Sequence, residues 1–313
     1  MMMTRTETAA WLAAGDRFGI LTHSRPDGDT LGSAAALCLG LRCLGKQAYV
    51  AENPETPEKY APLLEHLTRP RPEEGDTLIS VDVAAPNMLS RAFAPYRGSI
   101  ALRIDHHGTG TGFTPLELVD PEAAACAEII YDLMMELGVP LDKAMANALY
   151  TGVSTDTGCF RYANTRPHSF RVAAACAEAG GDLHAINQAL FETVTLGRLR
   201  IQGWIAANAR FLSGGRIAIC PIPRAVERQL EVTEADMDNI SGFPRTIAGV
   251  QIAATLREND DGIKLSVRAV PGYDAAAICA AFGGGGHKGA AGATLHMPLE
   301  EAARAVEKAM PPL

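Results

Sequence analysis

No run of apolar residues in this sequence approaches the ~20 that a membrane helix needs. The opening Met-Met-Met-Thr-Arg-Thr-Glu also lacks the apolar core of a secretory signal, so the expected compartment is the cytoplasm. None of the seven cysteines (Cys38, Cys43, Cys126, Cys159, Cys176, Cys220 and Cys279) stands in a C-x-x-C pair. That spacing argues against zinc or dithiol chemistry and for reduced thiols in Ala- and Leu-rich helices. Cys159 stands apart because it directly follows an acidic motif. A basic excess is missing too: the net charge is −8, and residues 1–195 carry 15 Lys/Arg against 24 Asp/Glu, while residues 196–313 carry 13 against 12. Long nucleic-acid duplexes demand basic surface, so they are not the expected partner. An acidic half suits carboxylates that await cations, and equally a solvated surface. Internal repeats, low-complexity tracts and a Walker A motif are absent.

What is present fits a two-domain α/β protein: 313 residues, 47% hydrophobic and 20% charged. Strands are predicted at 18–23, 47–51, 77–83 and 99–104, alternating with helices at 30–44, 122–137 and 141–154. Thr30 is the expected cap of the first helix and Gly45 its stop. Such alternation implies a parallel sheet covered by helices. A long helix over 196–211 is the expected bridge. Strands at 216–221, 250–258 and 262–270, a helix at 274–282, a glycine loop at 283–286 and a last helix at 298–310 make a smaller α+β domain. The expected domains are therefore 1–190, a linker helix over 191–212, and 213–313.

The acids fall in a pattern. Asp27 and Asp29, Asp82, and Asp105-His106-His107 each follow or end a predicted strand, and the carboxyl ends of parallel strands line one crevice. His23 and the Asp27-Gly28-Asp29 turn offer oxygen ligands for hard divalent ions plus a nitrogen that Mn²⁺ or Fe²⁺ tolerates; Asp-Gly-Asp also serves as a plain turn. Asp82 closing a Val-rich strand is costly to bury unless paired or metal-bound. Adjacent His106 and His107 cannot face the same way, so one can ligate and the other reach elsewhere. Asp156 at a helix C-terminus opposes the helix dipole and needs some other reward. Taken together, the four Asp and two His suffice for two metals with a shared carboxylate.

This set, His23-x-x-x-Asp27-x-Asp29, Asp82, Asp105-His106-His107 and Asp156, resembles the DHH phosphoesterase superfamily, named for its Asp-His-His triplet. The C-terminal Gly283-Gly284-Gly285-Gly286-His287-Lys288-Gly289 resembles the glycine-rich signature of the DHHA1 domain. Length and layout resemble the standalone nanoRNase and pAp phosphatase branch, with a parallel-sheet DHH domain joined by a helix to a smaller α+β DHHA1 domain. The resemblance implies two divalent cations, Mn²⁺ first among them, one on His23, Asp27 and Asp82, the other on Asp29, Asp82, His106 and Asp156. It implies that His107 touches the scissile phosphate or helps the leaving group and that Asp105 orients a histidine. It further implies hydrolysis of short RNA oligonucleotides and of the nucleotide bisphosphate 3′-phosphoadenosine-5′-phosphate (pAp). Linear dinucleotides such as pApA are the alternative substrate, and a nucleotide sensor without catalysis is a further alternative. Pyrophosphatase fits less well, because that branch carries a different C-terminal domain. Monomer and homodimer both stay open.

Gly284-x-Gly286-x-x-Gly289 formally matches a dinucleotide fingerprint, but a helix precedes it and no β-α-β unit follows. An anion cradle is the better reading: Gly284, Gly285 and Gly286 let backbone N–H groups approach phosphate, while His287 and Lys288 add donors. Arg268, at the end of a predicted strand, is a further candidate for substrate binding. Arg245 and Arg161 read as solvated loop residues or as phosphate contacts.

Overall fold

The computed structural model describes residues 1–108 and 112–313, in two compact units, Met1–Thr193 and Val194–Leu313. The first unit runs α1 (Arg5–Ala14), β1 (Arg17–Leu21), α2 (Gly28–Cys43), β2 (Gln47–Ala51), β3 (Thr68–Arg69), β4 (Thr77–Val81), β5 (Ile100–Asp105), β6 (Leu116–Val119), α3 (Cys126–Glu136), α4 (Lys143–Asp156), α5 (Pro167–Glu178) and α6 (Leu183–Asn187). Its six strands are all parallel, in the order β3-β2-β1-β4-β5-β6. Alternate side chains serve opposite faces. Phe18, Ile20, Ile79 and Ile104 join the helices in one core, while Leu21, Tyr49, Leu78 and Ile100 enter another with Phe93. Burial on both faces is why these strands read as continuous apolar runs rather than alternating ones.

The strand order reverses direction between β1 and β4, so the connections leaving them diverge and open a crevice at their carboxyl ends. The helices are brought close by glycine. A Cβ on Gly32 would stand 2.3 Å from the Ala148 carbonyl oxygen, and one on Gly152 would stand 2.5 Å from Ala127 Cβ and 2.9 Å from Asp29 Oδ1. Only glycine allows α2, α3 and α4 to approach this closely, and the approach carries Asp29 toward the end of α4.

The starts of α2 and α3 differ from expectation for one reason: acids of the candidate site double as caps. Helix α2 begins at Gly28 because Asp27, not Thr30, caps it; Asp27 Oδ1 accepts the N–H groups of Asp29 and Thr30, each at 3.1 Å. Helix α3 begins at Cys126 rather than residue 122, where the Asp29 carboxylate accepts the N–H of Cys126 at 2.6 Å and of Ala127 at 2.9 Å.

The second unit runs α7 (Leu196–Asn208), β7 (Arg210–Leu212), β8 (Ile217–Ile222), α8 (Arg224–Gln229), β9 (Ile252–Asn259), β10 (Gly262–Ala269), α9 (Ala275–Ala280), β11 (Gly285–His287), β12 (Ala290–Leu295) and α10 (Leu299–Ala309). Its sheet, β11-β12-β10-β9-β8-β7, is antiparallel except for the β8–β9 pair. Helix α7 ends at Asn208, three residues short of the expected helix, because Arg210–Leu212 pairs with β8. Its Ile201 and Ile205 pack in a core with Ala218 and Cys220 of this unit. The expected glycine loop over 283–286 is in part a strand: Gly285–His287 pairs with Ala290–Gly292 through a two-residue turn. No helix among the described residues is long and apolar enough to cross a membrane. Of the cysteines, Cys43 is exposed and Cys159 half-buried; the other five are buried.

Candidate metal centre and anion-binding face

The chain leaves β1 through His23, turns at Asp27 and enters α2 with Asp29 in its first turn. Asp82 follows β4 directly, in the left-handed region at φ 57°. A non-glycine residue held there costs about 1–3 kcal/mol and persists only where its surroundings fix it. Here its N–H bonds the Ile104 carbonyl at 2.9 Å, and Thr30 Oγ1 donates to its Oδ2 at 2.6 Å. Asp105 ends β5, His106 and His107 follow it, and Asp156 is the last residue of α4.

These residues stand together. His23 Nε2 lies 3.8 Å from Asp27 Oδ1 and 3.7 Å from Asp82 Oδ2. His106 Nε2 lies 3.8 Å from Asp29 Oδ2, 3.5 Å from Asp82 Oδ1 and 3.3 Å from Asp156 Oδ2. The groups His23/Asp27/Asp82 and Asp29/His106/Asp156 each hold one donor atom per residue within 4.8 Å of one another. Asp82 reaches both, because its Oδ1 faces His106 while its Oδ2 faces His23. Most of these spacings exceed hydrogen-bond length and leave room for an ion between the donors.

Three further features fit cations. Asp82 Oδ1 is buried and has no hydrogen-bond partner among the described residues, a state that costs free energy in an apo protein and that a metal would relieve. Each of the two histidines turns its Nδ1 to a backbone carbonyl, His23 to Ser24 at 2.8 Å and His106 to Ala123 at 3.3 Å. That leaves Nε2 as the inward donor, the usual arrangement behind a metal-ligating imidazole. Finally, the acids crowd one another. Burial, with Asp82 and Asp156 adding to it, pushes the Asp29 carboxyl well above the usual range, and burial followed by Asp82 raises Asp156 to about 7. Burial alone would lower the histidines, but Asp82 and Asp29 outweigh it at His106, raised to about 10, and Asp27 does so at His23, raised to about 9. Asp27, whose side chain is exposed, moves down to about 2, because His23 and the Thr30 N–H outweigh the desolvation of its carboxylate. Such a cluster calls for positive charge, and in the metal-free chain protons on imidazoles supply it.

His107 also lies close to Asp82 and His106, with its Nδ1 3.5 Å from Asp82 Oδ1, but that nitrogen is engaged by Asp105. His107 Nδ1 lies 2.7 Å from Asp105 Oδ1, and that oxygen also accepts the N–H groups of His106 at 2.8 Å and of His107 at 3.2 Å. Asp105 Oδ2 accepts Arg103 Nε at 3.1 Å and Arg103 Nη2. Arg103 is 2% exposed, with Glu117 Oε2 3.7 Å away and its guanidinium over the Phe113 ring. Sequence reading passed over Arg103, although Arg103 and Asp105, two apart on a buried strand, share one face and were the available signal. Thr30, the expected helix cap, instead holds Asp82.

Asp156 ends its helix in a Schellman turn: Cys159 N bonds Ser154 O at 2.6 Å and Gly158 N bonds Thr155 O at 3.1 Å. The left-handed backbone continues past Gly158 (φ 57°) through Cys159 (57°) and Phe160 (62°). Asn164 Nδ2 ties this loop back, bonding Asp156 O and Ala124 O at 3.1 Å each. Arg161 Nε bonds Gly158 O at 2.5 Å, so it braces the turn.

In the second unit, Arg268, Ala290 and His287 sit opposite one another on β10, β12 and β11, as do Ser266, Gly292 and Gly285. Directly paired residues share a sheet face. Arg268 and His287 therefore flank a floor of small residues on the face opposite Val267, Leu265 and Ala291, which fill the core. The glycines permit the hairpin: a Cβ on Gly284 would lie 2.2 Å from the Gly292 carbonyl oxygen, and one on Gly286 (φ 148°) 2.6 Å from that of Ala290. Burial and then the nearby Arg245 lower Arg268, and the one hydrogen bond its guanidinium is shown to make is to the Val267 carbonyl, at 3.1 Å. His287 and Lys288 are exposed, and the Lys288 carbonyl accepts Ala275 N at 2.8 Å, which anchors the hairpin turn.

The family model described as the DHH family, N-terminal domain, matches residues 17–153, and that of the DHHA1 domain matches residues 217–310. A curated relative from Thermus thermophilus, named bifunctional oligoribonuclease and PAP phosphatase NrnA, is 35% identical over 93% of this chain and 88% of its own length. The chain belongs to the DHH family. A DHH relative of the same name from Bacillus subtilis is 26% identical over 93% of each chain. The solved structure of an exopolyphosphatase-related protein from Bacteroides fragilis superposes with a TM-score of 0.85 at 24% identity, covering 97% of this chain and 94% of that one. That likeness places the DHH fold along nearly the whole chain.

Proposed function

We propose that this chain is a metal-dependent phosphoesterase that hydrolyses short oligoribonucleotides and removes phosphate from pAp. The observation that carries the reading is the pair of donor groups that meet at Asp82, in a chain 35% identical over 93% of its length to a bifunctional oligoribonuclease and PAP phosphatase. His23, Asp27 and Asp82 would hold one divalent cation, and Asp29, Asp82, His106 and Asp156 a second. The mixture of carboxylate and imidazole donors suits Mn²⁺. Cations held there supply Lewis acidity toward the phosphoryl oxygens and lower the pKa of the attacking water.

The remaining steps belong to side chains. Asp105 and Arg103 fix the His107 ring, so its Nε2, on a partly exposed side chain, can hold charge that develops on a phosphoryl oxygen or deliver a proton to the leaving oxygen. Arg268, His287 and Lys288, with the backbone of Gly284, Gly285 and Gly286, would bind the far phosphate or nucleotide end of the substrate. A substrate panel with Mn²⁺ tests this reading: pAp, RNA of two to five residues, pApA and pyrophosphate. Turnover of pAp and short RNA is expected. Exclusive turnover of pApA would redirect the specificity to linear dinucleotides, and none with any substrate would leave the binding-only sensor.

A further inference from the structure

The loop after Asp156 carries an aromatic ring that the proposed mechanism does not use. Tyr162 N–H bonds the Thr157 carbonyl at 3.0 Å, which folds the chain back over the end of α4. Its ring lies over Gly158, so close that a Cβ there would stand 2.3 Å from the Tyr162 Cζ. The ring thus rests on backbone two residues beyond Asp156, in a loop that the left-handed Schellman turn and the Asn164 side chain tie to the end of α4. Even so, Tyr162 is 58% exposed. Aromatic rings elsewhere in the loop behave differently: Phe160 stacks on Phe170 with centroids 5.1 Å apart. Tyr162 presents a rigid π-face to solvent beside a centre built for phosphate chemistry, and single-stranded nucleic acids are gripped sequence-tolerantly by such faces.

We propose that Tyr162 is a nucleobase platform, stacking on the base of a nucleotide that flanks the scissile phosphate. This rests on the phosphoesterase reading above and adds a base subsite to the acidic centre itself. The platform accepts any base, because every base has a π-face, and so suits an enzyme of short RNA without sequence preference.

A thermodynamic cycle tests it. The probes are a 5′-phosphorylated RNA dinucleotide and two analogues in which the base on one or the other side of the scissile phosphate is replaced by hydrogen. Each is assayed by kcat/KM with the full chain as wild type, Tyr162→Leu and Tyr162→Phe. In the wild type, losing the stacked base lowers kcat/KM about tenfold. In Tyr162→Leu the same loss falls below about twofold, because ring and base removal are not additive; Tyr162→Phe keeps the wild-type penalty. Phe170→Leu removes a comparably exposed ring and shows no coupling. Additive losses for Tyr162→Leu with both analogues, or coupling at Phe170 instead, overturn the platform while leaving the phosphoesterase reading intact. No turnover of the dinucleotide by the wild-type chain overturns both.

Discussion

The two units of this chain handle charge in opposite ways. In the first, the buried Asp29 and Asp82 crowd half-buried imidazoles and Asp156, and several polar atoms serve two purposes: Asp27 and Asp29 cap helices α2 and α3 while facing the histidines. In the second, Arg268 and His287 stand on a floor of alanine and glycine, with no acid hydrogen-bonded to either among the contacts described. Crowded acids are costly without cations, which suits the first unit to holding metal among side chains that its own architecture fixes. A half-buried arginine and an exposed histidine on a small-residue floor cost little, so this face can be altered without collapse.

Four changes sharpen that contrast, from the largest effect to the smallest. Asp82→Ala removes the carboxylate common to both donor groups. Turnover of pAp should fall by about 10³-fold or more while circular dichroism shows a folded chain; near-normal rates would break the shared-carboxylate assignment. Arg103→Met leaves Asp105 buried with Oδ2 unpartnered and three of its five hydrogen bonds, so urea unfolding should show a loss of about 3–5 kcal/mol. A loss under about 1 kcal/mol would mean that Asp105 does not depend on it. Thr30→Val takes away the hydroxyl on Asp82 Oδ2 and should weaken Mn²⁺ binding by about 10–100-fold, as such supporting contacts do; isothermal titration reads this directly. His287→Ala, in the other unit, should raise KM roughly tenfold, the worth of about one charge-assisted hydrogen bond. Its metal content should stay at the wild-type level, and loss of metal there would erase the division of labour.

The first unit also carries a pH signature. In the metal-free chain His106 and His23 hold protons up to about 10 and about 9. A cation must displace those protons, so affinity rises with pH rather than falling. From about pH 6 to about pH 8, the Mn²⁺ dissociation constant should drop by at least about tenfold per unit. A flat profile would show that the imidazoles are not displaced.

Much of the first unit was legible because its acids follow apolar strands, a placement that stands out against β propensity. Less legible were features that depend on distant partners. The start of α3 was misplaced because the group that caps it, Asp29, lies 97 residues earlier. Asp82 falls just outside β4 rather than inside it, since only the fold can hold a left-handed aspartate. Strand β11 reads as a loop in sequence because glycine has low strand propensity, and its pairing rests on close backbone approach instead. Tyr162 carried no pattern in sequence, and its interest arises from the ring's placement on Gly158.

The proposed reaction depends most on two cations meeting at one carboxylate. Metal analysis of the Mn²⁺-saturated, desalted chain, beside Asp82→Ala treated in the same way, tests this directly. Two Mn²⁺ per wild-type chain and fewer than one in the variant is the predicted result; a single ion in the wild type, retained by Asp82→Ala, would contradict it.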